Sequence, residues 1–131
     1  MRKILIVDDD EFACDLYSDA LQKAGYLVFT ASDGIKGLSK ATSEIPDLIL
    51  LDVAMPGMDG LEFTKKAASD PFIQKVPIVL LTNIRNDQTI KEAMENGALG
   101  YLIKPALTPL QVADEVNKFL GTSTATSNKP A

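Results

Sequence analysis

The sequence predicts an α/β domain built on a doubly wound, five-stranded parallel sheet. Three observations carry that prediction. Five short apolar runs, rich in β-branched residues, alternate with segments of helical periodicity. The runs are apolar at successive positions, as strands covered on both faces must be. The connections are short, which favours neighbouring strand–helix units in one sheet. At 131 residues, 46% of them apolar, the chain is long enough for a single core.

The elements follow in order. The first run, Ile4-Leu5-Ile6-Val7, ends on Asp8-Asp9-Asp10. Ala13, Leu16, Ala20, Leu21 and Ala24 then recur at helical spacing until Gly25 stops the helix. Leu27-Val28-Phe29 is the second strand, and the helix over 33–44 ends before Pro46. The third strand, Leu48 to Leu51, finishes on Asp52 and a Pro56-Gly57 loop, and Asp59 with Glu62 makes a capping-box start for the third helix. Pro77 to Leu81 is the fourth strand, followed by a helix from about Asn86 to Asn96 that Gly97 stops. Tyr101-Leu102-Ile103 leads into Lys104-Pro105, and Thr108, Pro109 and Gln111 give the fifth helix a complete start signal. Five such units fit a flavodoxin-like sheet of order 2-1-3-4-5 flanked by five helices, with its ligand site at the carboxyl ends of the strands. Residues 121–131 lack an apolar pattern and read as a disordered tail or the start of a linker.

Composition narrows the chemistry. The net charge of −5 argues against nucleic-acid binding, since no lysine or arginine excess is present to neutralise phosphates. No apolar stretch reaches the length of a membrane span, and Asp8 interrupts the first apolar run too early for a signal peptide, so a cytoplasmic location is expected. The absence of histidine removes His-based catalysis and metal sites. The single cysteine, Cys14, excludes an internal disulfide and reads as a small half-buried helix residue. Chemistry must therefore rest on carboxylates, hydroxyls and amines.

The predicted architecture gathers such groups at one edge. Asp8-Asp9-Asp10 ends the first strand, Asp52 the third, Thr82 the fourth and Lys104-Pro105 the fifth. Clustered carboxylates resist ionising together, and a hard divalent cation such as Mg²⁺ relieves this. One carboxylate is then free to act as a nucleophile toward a phosphoryl group, with Lys104 and a hydroxyl offsetting charge on its oxygens. Asp52 is the best candidate, because its strand is central and its loop can bring backbone groups to metal or phosphate.

Taken singly, each residue has a plainer reading. Asp10 and Glu11 suit a helix N-terminus, Thr82 a strand end, Tyr101 a sheet tyrosine, Lys104 a loop, and Met55 and Met58 loop packing. Their joint placement at strand ends is what favours a site.

The constellation resembles the receiver domain of two-component response regulators, through "ILIVDDDE", "DLILLDVAMPGMDG", "PIVLLT" and "GYLIKP" in order and spacing over residues 2–120. The resemblance implies a signalling domain rather than an enzyme, with Asp52 accepting a phosphoryl group from a histidine kinase or phosphotransfer protein. It implies Mg²⁺ held by Asp9, Asp52 and the backbone carbonyl of Ala54, with Asp8 acting largely through water. It also implies phosphoryl contacts from Thr82 and Lys104, a cis Lys104–Pro105 bond, and a Thr82/Tyr101 switch. That switch would reshape the surface of the fourth helix, fifth strand and fifth helix toward a downstream protein or output domain.

Departures and rivals qualify the resemblance. Asn83 stands where receivers usually carry a small residue, and Ala54 and Ile84 are apolar where fast-hydrolysing relatives are polar, so slow phosphoryl loss is expected. The fifth helix has one lysine and no arginine, which speaks against a dimer through charged fourth- and fifth-helix contacts but leaves other phosphorylation-dependent dimers open. A haloacid-dehalogenase-type phosphohydrolase needs Asp-x-Asp, and Asp52-Val53-Ala54 lacks the second acid. A flavodoxin-like electron carrier needs a phosphate-binding loop where Asp8-Asp9-Asp10 stands. A phosphorylation-independent receiver-like scaffold is the remaining alternative.

Overall fold

A computed structural model of the chain describes residues 1–83 and 87–121, with Asp87 as backbone alone. Its elements run β1 (Lys3–Val7), α1 (Glu11–Lys23), β2 (Leu27–Ala31), α2 (Gly34–Glu44), β3 (Leu48–Asp52), α3 (Gly60–Ala68), β4 (Ile78–Thr82), α4 (Asp87–Glu95), β5 (Gly100–Ile103) and α5 (Pro109–Phe119). The five strands pair in parallel in the order β2-β1-β3-β4-β5, as expected. The expected start of the fourth helix at Asn86, the Ile84 position and the tail beyond Gly121 lie outside the described residues.

Alternating side chains divide the core into two layers. Ile4, Ile6, Leu48, Leu50, Val79 and Leu81 face α1 and α5, where Cys14, Tyr17, Leu21, Val112 and Val116 cover them. Leu5, Val7, Ile49, Leu51, Ile78 and Leu80 face the other way, under Ala41 of α2, Phe63 of α3 and Ala93 of α4. Every residue of β3 is buried, Asp52 included. Each large aliphatic side chain so buried contributes about 1.5–3 kcal/mol, and this anchors a strand whose last residue is a carboxylate.

Local signals set the helix ends. Asp33 caps α2 by accepting the Lys36 backbone N–H, Asp59 caps α3 by accepting that of Glu62, and Thr108 with Gln111 forms the full capping box of α5. The buried face of α1 differs from the one predicted. Leu16 and Ala24 are exposed, and Cys14 and Tyr17 join Ala20 and Leu21 in the core. Both stripes have helical spacing in the sequence; the packing of α1 against α5 selects the one whose residues reach the sheet.

Candidate functional site

Asp8 follows β1 directly, and its backbone N–H donates to Ala31 O at 3.1 Å, extending the ladder by one residue. Its side chain is almost completely buried. One oxygen accepts the Asp10 backbone N–H at 2.9 Å and the other accepts from Lys104 Nζ at 2.8 Å. Asp9 is exposed beside it. Asp10 turns away to cap α1, accepting from the backbone N–H groups of Phe12 and Ala13 at 3.0 and 3.2 Å. The plainer reading of Asp10 therefore holds, as does that of Glu11, an exposed acid in the first turn.

Asp52 closes β3 and is 4% exposed. The chain then passes Val53, whose N–H donates to Leu81 O at 3.0 Å and whose carbonyl accepts from Gly60 N at 2.9 Å. These bonds, with Met55 buried in the core, pin the loop that carries Ala54. Met58 packs against the same layer, so both methionines serve as loop packing.

One oxygen from each of Asp8, Asp9 and Asp52 lies within 4.8 Å of the others. The ion pairs of the cluster run from Lys104 to Asp8 at 2.8 Å and to Asp52 at 3.6 Å. The shorter of the two goes to Asp8, where it is also a hydrogen bond. Burial and the Asp8 charge push the Asp52 carboxyl up from 3.8 to about 7, against the opposing pull of Lys104. The Lys104 ammonium is disfavoured by burial, yet the Asp8 hydrogen bond and the Asp52 charge outweigh this and raise it. Burial, with the Asp8 charge adding to it, pushes the Cys14 thiol up to about 12, which leaves a protonated, inert thiol donating to Asp8 O.

Asp8, Asp9, Asp52, Ala54, Asn83 and Lys104 line a polar cleft of about 500 Å³. An all-oxygen carboxylate set in excess of its ammonium suits a hard divalent ion such as Mg²⁺ and not a sulfur- or imidazole-seeking metal. Thr82 ends β4, buried, one residue before the cleft-lining Asn83. Tyr101, paired with Leu80 across the sheet, is 38% exposed on β5.

One expectation is corrected. Among the described residues no peptide bond is cis, so the Lys104–Pro105 bond is trans. Lys104, Pro105 and Ala106 form a single 3₁₀ turn closed by Leu107 N–H on Lys104 O at 3.2 Å. Pro105 occupies the second position of that turn, where the fixed ring φ suits a trans bond, and the intrinsic X–Pro preference is itself trans.

Sequence reasoning missed Tyr17, a buried member of the cleft wall. The available signal was its place three residues after Cys14 on the other helical stripe.

Residues 4–115 match the family of the response regulator receiver domain. The chain is 36% identical over 119 residues to the sporulation initiation phosphotransferase F of Bacillus subtilis, covering 91% of this chain and 94% of that one. It is 40% identical over 119 residues to the alkaline phosphatase synthesis transcriptional regulatory protein PhoP of the same organism, covering 91% of this chain but 48% of PhoP. Against the response regulator PleD of Caulobacter vibrioides it is 41% identical over 103 residues, 79% of this chain and 23% of PleD. The chain thus spans a quarter to a half of the length of several curated relatives. Among solved structures, the chemotaxis response regulator CheY4 of Vibrio cholerae superposes with a TM-score of 0.84 at 36% identity, over 91% of this chain and 98% of that one.

Proposed function

The chain belongs to the response regulator receiver domain family of two-component phosphorelay signalling, and from that premise we propose that it is a Mg²⁺-dependent phosphoacceptor that carries its phosphoryl group on Asp52. The observation that carries this reading is the convergence of Asp8, Asp9, Asp52 and Lys104 on one cleft. Asp8, Asp9, Asp52 and the Ala54 carbonyl would hold the ion, which supplies positive charge to the phosphoryl oxygens when bound. An Asp52 carboxylate oxygen attacks phosphorus, the P–N bond to the donor imidazole breaks, and a P–O bond to Asp52 forms. Lys104 turns from Asp8 to the phosphoryl oxygens, and the Thr82 hydroxyl donates to one of them. Tyr101 then follows Thr82 inward, and the face formed by α4, β5 and α5 changes its surface. A scaffold that never accepts phosphate would be expected to lack an acid or the lysine, and this chain has both.

Receiver domains interact with histidine kinases or phosphotransfer proteins and with output domains. The partners proposed here are a kinase or phosphotransfer protein as donor and a downstream protein or output domain as target. We extend the receiver domain over residues 2–120, and a phosphorylation-dependent dimer is a further part of this reading. Among the described residues no helix is long and apolar enough to cross a membrane.

Calorimetry with beryllofluoride, a phosphoryl mimic, tests the site. Binding is expected only with Mg²⁺ present, absent in Asp52→Asn and weaker in Lys104→Ala. Failure of the wild type to bind at any Mg²⁺ concentration would favour the phosphorylation-independent scaffold.

A further inference from the structure

Tyr17 is a buried polar residue to which the chemistry above gives no task. It lies on α1, is 7% exposed, and shares the cleft wall with Asp8, Asp52 and Lys104. Among the described residues its hydroxyl has no hydrogen-bond partner, whereas the hydroxyl of the other buried tyrosine, Tyr26, donates to Asn117. A hydroxyl that lines a charged cleft yet has no protein partner asks for an explanation. Phenylalanine would fill the same space among the apolar residues under α1 and α5 without putting an oxygen on the cleft wall.

The neighbouring ammonium has the complementary surplus. Lys104 carries three N–H donors, of which one is bonded to Asp8 at 2.8 Å, while Asp52 at 3.6 Å is beyond direct hydrogen-bond distance. The charges of Lys104, Asp8 and Asp52 all reach the phenol. Two N–H groups of Lys104 are thus open, and as the ammonium moves toward a phosphoryl group on Asp52 they need acceptors inside a largely buried wall. Tyr17 offers a neutral oxygen there.

We propose that Tyr17 positions Lys104: as the ammonium turns from Asp8 toward phosphoryl oxygens on Asp52, the phenol oxygen accepts one of its N–H groups and holds it over the transferred group. This rests on the phosphoacceptor reading above. Tyr17 acts through Lys104 and is a positioning residue. Its place on α1 also ties the site to the helix that carries the exposed Phe12 and Leu16.

Tyr17→Phe removes the oxygen and keeps the ring. The rate of phosphoryl adduct formation from acetyl phosphate at saturating Mg²⁺ is compared for wild type, Tyr17→Phe, Lys104→Ala and the double variant. Loss of one neutral hydrogen bond is expected to slow Tyr17→Phe by about 3- to 10-fold, to slow Lys104→Ala no further, and to leave Mg²⁺ affinity unchanged by calorimetry. If Lys104→Ala reacts too slowly to time, beryllofluoride affinity closes the same cycle. A wild-type rate in Tyr17→Phe overturns the proposal. So does equal slowing with and without Lys104, because the tyrosine would then act on the fold and not on the ammonium. A wild type that forms no adduct removes the phosphoacceptor reading itself and this role with it. That outcome is distinct from an adduct formed equally well by both proteins.

Discussion

Asp52 is the proposed phosphoacceptor, and its environment gives it a pH dependence of defined sign. Burial first, then the Asp8 charge, raise its carboxyl to about 7 from an ordinary 3.8. Between those values the folded, metal-free protein keeps a proton that the unfolded chain releases. The folded state therefore binds more protons, and stability falls as pH rises from about 4 to about 7. Asp52→Asn is expected to remove that fall. Urea unfolding across the window checks it, and equal slopes in wild type and variant would contradict it. Mg²⁺ competes with the same proton, so its apparent affinity should rise toward pH 7 and level off above it. The meeting of Asp8, Asp52 and Lys104 at one edge was legible in the sequence because each directly follows or ends an apolar run. The preference of Lys104 for Asp8 was not, since it lies in side-chain distances of 2.8 against 3.6 Å that no sequence pattern encodes.

At the scale of elements, capping chemistry was the clearest signal. The Thr108–Gln111 box and the stop at Gly97 stand where the residues placed them, while of the expected Asp59–Glu62 box the Asp59 cap alone forms. The helix before Pro46 also ends as predicted, but on Ile45 at φ +46, a left-handed conformation that no local signal for isoleucine announces. The buried face of α1 was misread because two stripes share the helical period and only packing against α5 distinguishes them. Gly60 shows how an element sets the site. A Cβ there would lie 2.9 Å from Val53 Cα and 3.1 Å from the Asp52 carbonyl oxygen, both backbone atoms at the strand end that carries Asp52. Gly60→Ala should cost about 1–3 kcal/mol of stability and slow adduct formation from acetyl phosphate, because the added methyl presses on the backbone of Asp52 and Val53. Thermal melts beside the rate measurement check both, and a variant with wild-type stability and rate would show that α3 does not constrain Asp52.

For the whole molecule, parallel topology does the assembling. Every strand ends at the same edge, so Lys104 meets Asp8 across 96 positions of sequence without any local signal linking them. Strand order was readable because continuous apolar runs with short connections leave few arrangements. The Lys104–Pro105 geometry was not, because the X–Pro isomers differ by only about 0.5–1 kcal/mol and the surrounding 3₁₀ turn decides. Two buried strand ends bearing carboxylates would be a poor way to stabilise a sheet, and they make sense as a site that waits for charge. Intact mass after incubation with Mg²⁺ and acetyl phosphate, recorded beside Asp52→Asn, tests this most directly. One phosphoryl adduct on the wild type and none on the variant is expected. An adduct that survives in Asp52→Asn would place the nucleophile elsewhere and break the assignment of the site.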